Sequence, residues 1–232
     1  MSPTVLHTTN FVSDATTLIL TSARESISAR GIFRIALSGG HTPEPIFKQW
    51  AATADFPWDR VQFTFGDERC VPPDDEQSNY RMARQSLLDL APIPDGNVFR
   101  IQGELPPEEA AAEYDARLTQ LASRFNESRY RHDLLLLGMG PDGHTASLFP
   151  GTEALTEQTH SVVQNFVPKF DTYRITFTYP LINAARHVCF LLQGDDKKPV
   201  IKQILAGDKE YPAAHVAPTD GKVTWILGWP SE

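Results

Sequence analysis

Short apolar runs, each closed by a glycine or a polar cluster and most of them followed by a helical pattern, constrain the fold of this chain more than any other feature. "IFRIAL" (32–37) leads into Ser38-Gly39-Gly40, "DLLLLG" (133–138) into a glycine turn, and "HVCFLLQG" (187–194) and "KVTWILG" (222–228) repeat the pattern. Such runs predict strands buried on both faces. Segments of helical spacing stand between them. Leu18, Ile19, Ala23 and Ile27 follow a Ser13 cap and precede Gly31, and "TPEPIFKQWAA" keeps its prolines near the first turn. "SNYRMARQSLLDL" and "KKPVIKQILAG" also read as helices, and the segment from Pro107 to Phe125 sets Ala111, Tyr114, Leu118, Leu121 and Phe125 on one stripe. "VQFTFGDE" alternates like a strand and ends in acids, and "RITFTY" joins the same series. The alternation predicts one α/β domain over 1–232, with a largely parallel sheet and helices on both faces. The stretch from Gly151 to Asp171 carries no readable period and is expected to be a loop or lid.

Composition narrows the function. The chain has 232 residues, 41% of them hydrophobic, enough for a full core. Its net charge of -8 argues against a nucleic-acid or membrane-surface partner, although a few local cations can still set the field of a cleft that takes an anionic small molecule. The two cysteines, Cys70 and Cys189, form no C-x-x-C and suggest neither a disulfide framework nor a thiolate zinc site. With no secretory signal and no apolar run near the roughly 20 residues of a membrane span, a cytoplasmic protein is expected.

Parallel sheets bind ligands beyond the carboxyl ends of their strands, so the residues just after each strand are the candidates. Gly138, Gly140 and Gly143 spell G-x-G-x-x-G, but Pro150-Gly151 stops any helix soon after, and no acid follows at the distance a ribose needs. The turn is therefore not read as a dinucleotide site. What remains is a tight turn with N–H groups free to face an anion, delivering Asp142 and His144, or a plain strand closure with a solvated histidine. Ser38-Gly39-Gly40 before a helix suits a phosphate or carboxylate, or an ordinary strand-to-helix turn. It lacks the Walker lysine, and Ala36 occupies the first glycine position of a nucleophile elbow. Asp67, Glu68 and Arg69 leave an apolar strand and must be solvated, paired or functional. Arg174, Lys197 and Lys198 lie near strand boundaries. No H-E-x-x-H or comparable spacing marks a metal site, and no metal is expected.

Four stretches, "SGGHTPEPIF", "FGDERCVPPDDEQSNYRMARQSLL", "DLLLLGMGPDGHTASLFPG" and "RITFTYPLINAARHVCFLLQGDDKK", resemble in order and spacing the motifs of the 6-phosphogluconolactonase family. The resemblance runs from about Ile35 to Ile204. The glucosamine-6-phosphate deaminases have a similar D-G-H turn but carry Glu where this chain has Phe149, and Tyr where it has Arg69. His41 and the doubled lysine before Pro199 depart from the lactonase pattern. The resemblance implies a three-layer α/β/α Rossmann-like fold and hydrolysis of 6-phosphoglucono-δ-lactone in the oxidative pentose phosphate pathway, without metal or organic cofactor.

For that reaction His144 is the expected general base and Arg69 the charge stabiliser, with Asp67 holding Arg69 or a substrate hydroxyl. Asp142 is expected to orient His144. The phosphorylated lactone would rest on Ser38, Gly39 and Gly40, on Asp142 and Gly143 of the turn, and on Arg174 and Lys197, the last preferred over Lys198 on family spacing. A phosphosugar isomerase or deaminase of the same fold, or a non-catalytic sugar-phosphate sensor, is the alternative. A monomer or weak homo-oligomer without nucleic-acid or membrane partners is expected.

Overall fold

The apolar runs become the centre of a parallel sheet. A computed structural model describes residues 3–230 of the chain. The elements are β1 (Thr4–His7), α1 (Phe11–Arg30), β2 (Phe33–Leu37), α2 (Glu44–Ala51), β3 (Val61–Phe65), β4 (Asp67–Arg69), α3 (Asn79–Ala83) and α4 (Pro107–Ser123). Then follow β5 (Leu134–Leu137), β6 (Val162–Val167), β7 (Thr172–Phe177), α5 (Tyr179–Ile182), β8 (His187–Leu192), α6 (Lys198–Leu205) and β9 (Lys222–Leu227). Six strands lie in the order β1-β9-β8-β5-β2-β3, every pair parallel, with helices packed on the faces in a three-layer α/β/α arrangement. Every residue of β2, β5 and β8 is buried, as strands covered on both faces must be.

The chain leaves β2 toward β3 on one side, while β5 joins β2 from the other, with Ile35 opposite Leu134. The strand order therefore reverses between β2 and β5, and the crevice above their carboxyl ends is where such a sheet takes a ligand.

Three expectations are corrected. "RITFTY" does not extend the parallel sheet: β7 lies antiparallel between β4 and β6 in a separate three-stranded sheet. The chain crosses into that sheet at Gly66, whose N–H donates to Leu37 while its carbonyl accepts from Phe177. The stretch 151–171 is not a plain loop, since it contains β6, paired along its length with β7. Its period was hidden because Gln164, Asn165 and Phe166 interrupt the apolar alternation, and buried Asn165 instead bonds the Ser147 carbonyl and the Thr152 hydroxyl. Finally, α1 starts at Phe11, so Ser13 lies inside the helix, and Thr8 bonds Asp14 of the first turn.

The sheet's other end holds a buried charge cluster. Arg34, 1% exposed inside the apolar β2, donates to both oxygens of Glu127 at 2.7 and 3.1 Å and lies over the Phe125 ring. Asp133, at the start of β5, accepts from the Arg34 backbone and pairs with Arg30 and Arg186. Removing one partner of such a set leaves an uncompensated buried charge, so the cluster fixes the relative placement of β2, β5 and the strand entry at β8.

Two buried histidines make stability depend on pH. His132, bonded to Thr64, is pushed down to about 3 by burial, and His187, bonded to Thr224, to about 4 by burial and then by Lys222. The unfolded chain binds protons on both below about pH 6.5, while the folded chain refuses them until much lower pH. Their contribution is therefore complete above pH 6.5 and is lost as pH falls from there toward 4 for His187 and toward 3 for His132. Urea unfolding at a series of pH values should show stability falling below pH 6.5 by up to about 1.4 kcal/mol per pH unit per histidine. His187→Gln should reduce that slope by about half, and a profile flat from pH 7 to 5 would contradict the buried neutral state.

Candidate active site

The strand ends at the reversal point enclose a cleft of about 380 Å³. Ser38, Gly39 and Gly40 line it from the end of β2, Asp67 and Arg69 from β4, His144 from the turn after β5, Arg174 from β7 and Lys197 from the turn after β8. A larger, shallower depression of about 650 Å³ lies near the opposite end of the sheet. Its arginines Arg129 and Arg131 donate to the carbonyls of Thr159, Ala184 and Asp220, which leaves them structural.

The turn after β5 is closed on itself. Gly143 donates to the Gly140 carbonyl and Gly140 to the His144 carbonyl, both at 3.0 Å. A Cβ at Gly140 would stand 2.2 Å from the His144 ring, and Gly143 sits at φ +74° against Tyr211. The glycines thus let the chain double back until Asp142 and His144 meet. Asp142 Oδ1 lies 2.5 Å from His144 Nδ1, and its Oδ2 accepts from Lys169 at 2.9 Å. Burial opposes ionisation of Asp142, but the hydrogen bonds from Lys169 and His144 overcome it and hold the carboxyl at about 2. An ionised acceptor there keeps the imidazole proton on Nδ1 and leaves the Nε2 lone pair free. The ring also stacks on Phe149, centroids 3.9 Å apart, and Phe170 meets Phe149 edge-on.

The cations form a wall. Arg69 and Arg174 are directly opposed in the antiparallel β4–β7 pair, where like charges repel. Burial first, and then the Arg69 charge, lower the Arg174 guanidinium. Among the described residues both Nε donors are buried without a protein partner, as is the Ser38 hydroxyl, an arrangement suited to an anion. One Nη of Arg69 donates to the Gln77 carbonyl. Lys197, on the cleft, donates to the Gln193 carbonyl at 3.0 Å and pairs with Asp196 at 3.4 Å, whereas Lys198 pairs with Asp195 and lies off the cleft.

Some expected contacts are absent. Asp67 does not hold Arg69: its carboxylate accepts from Ser147 at 2.7 Å and from Asn79 at 3.2 Å. Asp142 and Gly143 are not among the residues lining the cleft; the Gly143 N–H donates to the Gly140 carbonyl, and the Asp142 carboxylate is taken by His144 and Lys169. Sequence reasoning missed Asn79, Ser147 and Lys169. The S-N-Y after the acids offered a signal for Asn79, since Ser78 caps α3 and buried Glu68 accepts from the Asn79 and Tyr80 N–H groups, making this segment a fixed shelf. Lys169 offered none, because its contact is made across 27 residues.

Residues 7–225 match the family of glucosamine-6-phosphate isomerases/6-phosphogluconolactonase. A 6-phosphogluconolactonase of Nostoc sp. is 40% identical over 94% of this chain and 91% of its own length, and that of Homo sapiens is 42% identical over 86% and 79%. The crystal structure of 6-phosphogluconolactonase from Thermotoga maritima superposes with a TM-score of 0.86 at 29% identity, over 97% of this chain and 100% of that one. That of Trypanosoma brucei does so with a TM-score of 0.86 at 30% identity, over 97% and 96%. With its cleft at the strand reversal and a match over nearly its whole length, the chain belongs to the glucosamine-6-phosphate isomerase/6-phosphogluconolactonase family.

Proposed function

We propose that this chain hydrolyses 6-phospho-D-glucono-1,5-lactone to 6-phospho-D-gluconate, with His144 as general base. The observation that carries the reading is the Asp142-held imidazole in a cleft walled by Arg69, Arg174 and Lys197. The 36–42% identical relatives named as lactonases supply the substrate. The reading places the reaction in the oxidative pentose phosphate pathway and the protein in the cytoplasm, as a monomer or weak homo-oligomer without nucleic-acid partners. Among the described residues no helix is long and apolar enough to cross a membrane.

His144 Nε2 takes a proton from water as the water oxygen adds to the lactone carbonyl, giving a tetrahedral oxyanion and an imidazolium. The imidazolium is stabilised by the Asp142 carboxylate, which itself stays ionised. Collapse of the oxyanion breaks the bond to the ring oxygen, and the imidazolium returns its proton to that alkoxide. Water is consumed and the base is regenerated. Arg69 stabilises the charge on the carbonyl oxygen. Arg174, Lys197 and the Ser38-Gly39-Gly40 turn hold the phosphate, whose negative charge also relieves the repulsion between the two arginines. Asp67, fixed by Ser147 and Asn79, is placed to accept a substrate hydroxyl. Phe149 fills the face of the imidazole, so Asp142 is the only carboxylate that contacts the ring among the described residues.

His144→Ala should lower kcat for lactone hydrolysis by about 10²-fold or more after correction for spontaneous opening. A rate within threefold of the parent would overturn the base assignment. Arg174→Ala and Lys197→Ala should each raise KM by roughly tenfold or more with a small change in kcat, whereas Arg69→Ala should act mainly on kcat. An unchanged KM in both of the first two variants would remove the phosphate assignment.

A further inference from the structure

The hairpin joining β6 to β7 reaches the imidazole from two sides. Its turn, Pro168–Phe170, is closed by a bond from the Asp171 N–H to the Pro168 carbonyl. Lys169 extends from it to Asp142 Oδ2 at 2.9 Å, on the carboxylate oxygen that His144 does not use. Phe170 presses its edge on Phe149, whose opposite contact is the His144 ring, and lies beneath the Arg174 guanidinium. The general base is thus held through two chains of contact that end on one turn, whose Phe170 also lines the cleft.

We propose that Lys169 is a positioning residue, its ammonium fixing the Asp142 carboxylate and thereby setting the orientation of the His144 ring. The inference rests on the lactonase reading for its kinetic consequences, but its geometry stands without it. A carboxylate shared between two cations gives less to each. With Lys169 present, Asp142 is anchored with Oδ1 toward Nδ1, yet the nearby ammonium disfavours a positive imidazolium.

Other charges face the ring more weakly. Arg174 lies beyond Phe170, Arg69 beside Arg174, Lys197 across the cleft after β8, and Asp67 behind Ser147. Among the described residues none of these makes an ion pair or hydrogen bond with the imidazole, so Lys169 is the cation coupled to it most directly. The Lys169 side chain is about half exposed, which makes its replacement compatible with folding.

The test compares Lys169→Met and Lys169→Arg with the parent in the full chain. Lys169→Met should move the midpoint of the acid limb of kcat/KM to higher pH, because the variant lacks the ammonium that disfavours an imidazolium. It should lower kcat by about 3- to 10-fold with KM within about twofold, and Lys169→Arg should restore both. The His144 ring read directly by NMR titration in the parent and in Lys169→Met should show a change in the same direction and needs no turnover. A parent chain without lactonase activity would refute the functional reading while leaving this titration to decide the inference. An unmoved midpoint, or a raised KM at unchanged kcat, would overturn the positioning role, the latter by showing that Lys169 touches substrate instead.

Discussion

Gly140 has no side chain, and the site is arranged around that fact. A Cβ there would fall 2.2 Å from two atoms of the His144 ring and 2.8 Å from the Asp142 carboxylate. The backbone can return over itself only because that space is free, and the return brings an acid and a base two residues apart into hydrogen-bond contact. Elsewhere in the cleft, side chains are positioned by elements distant in sequence. Here a single turn, seated on the buried β5, supplies the base and its orienting carboxylate together. The parallel sheet holds that turn beside the end of β2, and the charge cluster at the opposite end of the same strands keeps the two in register.

The smaller antiparallel sheet supplies what the larger one lacks. In a chain whose net charge is -8, β4 and β7 place two arginines side by side at the cleft. Among the described residues neither arginine is paired with a carboxylate, and both keep a buried donor without a partner, so their mutual repulsion is relieved when an anion arrives. Local placement of charge, rather than the total, decides what the cleft attracts. The β6–β7 hairpin then closes the circuit by carrying Lys169 to Asp142, which couples the cationic sheet to the imidazole turn.

How far this was legible in the sequence follows from the range of the interactions. The strands β2, β5, β8 and β9 were readable because their apolar runs are local and continuous, and the position of His144 was readable because glycine spacing is local too. The second sheet was not: β4 is only three residues long, β6 is interrupted by the polar Gln164 and Asn165, and their pairing with β7 is a tertiary event. The same limit explains Asp67, placed by sequence beside Arg69 but bonded in space to Ser147, 80 positions on. Asp67 and Arg69, two apart on β4, share a face and both line the cleft, yet Asp67 takes its partners Ser147 and Asn79 from other segments, a choice made by the fold. Arg34 illustrates the converse, a charge inside an apolar run that becomes a fully buried anchor because Glu127 and Asp133 converge on it.

The central claim is that an ionised Asp142 fixes the Nδ1–H tautomer of His144 and leaves Nε2 free to take a proton from water. Asp142→Asn preserves the size and the hydrogen-bonding reach of the side chain while removing the charge, so steady-state kinetics of this variant on freshly generated 6-phosphogluconolactone is the most direct measurement. The account predicts a fall in kcat of about 10²-fold or more, with KM changed by less than about threefold, because the base is misassigned while the anion-binding wall is untouched. A kcat within threefold of the parent would contradict it.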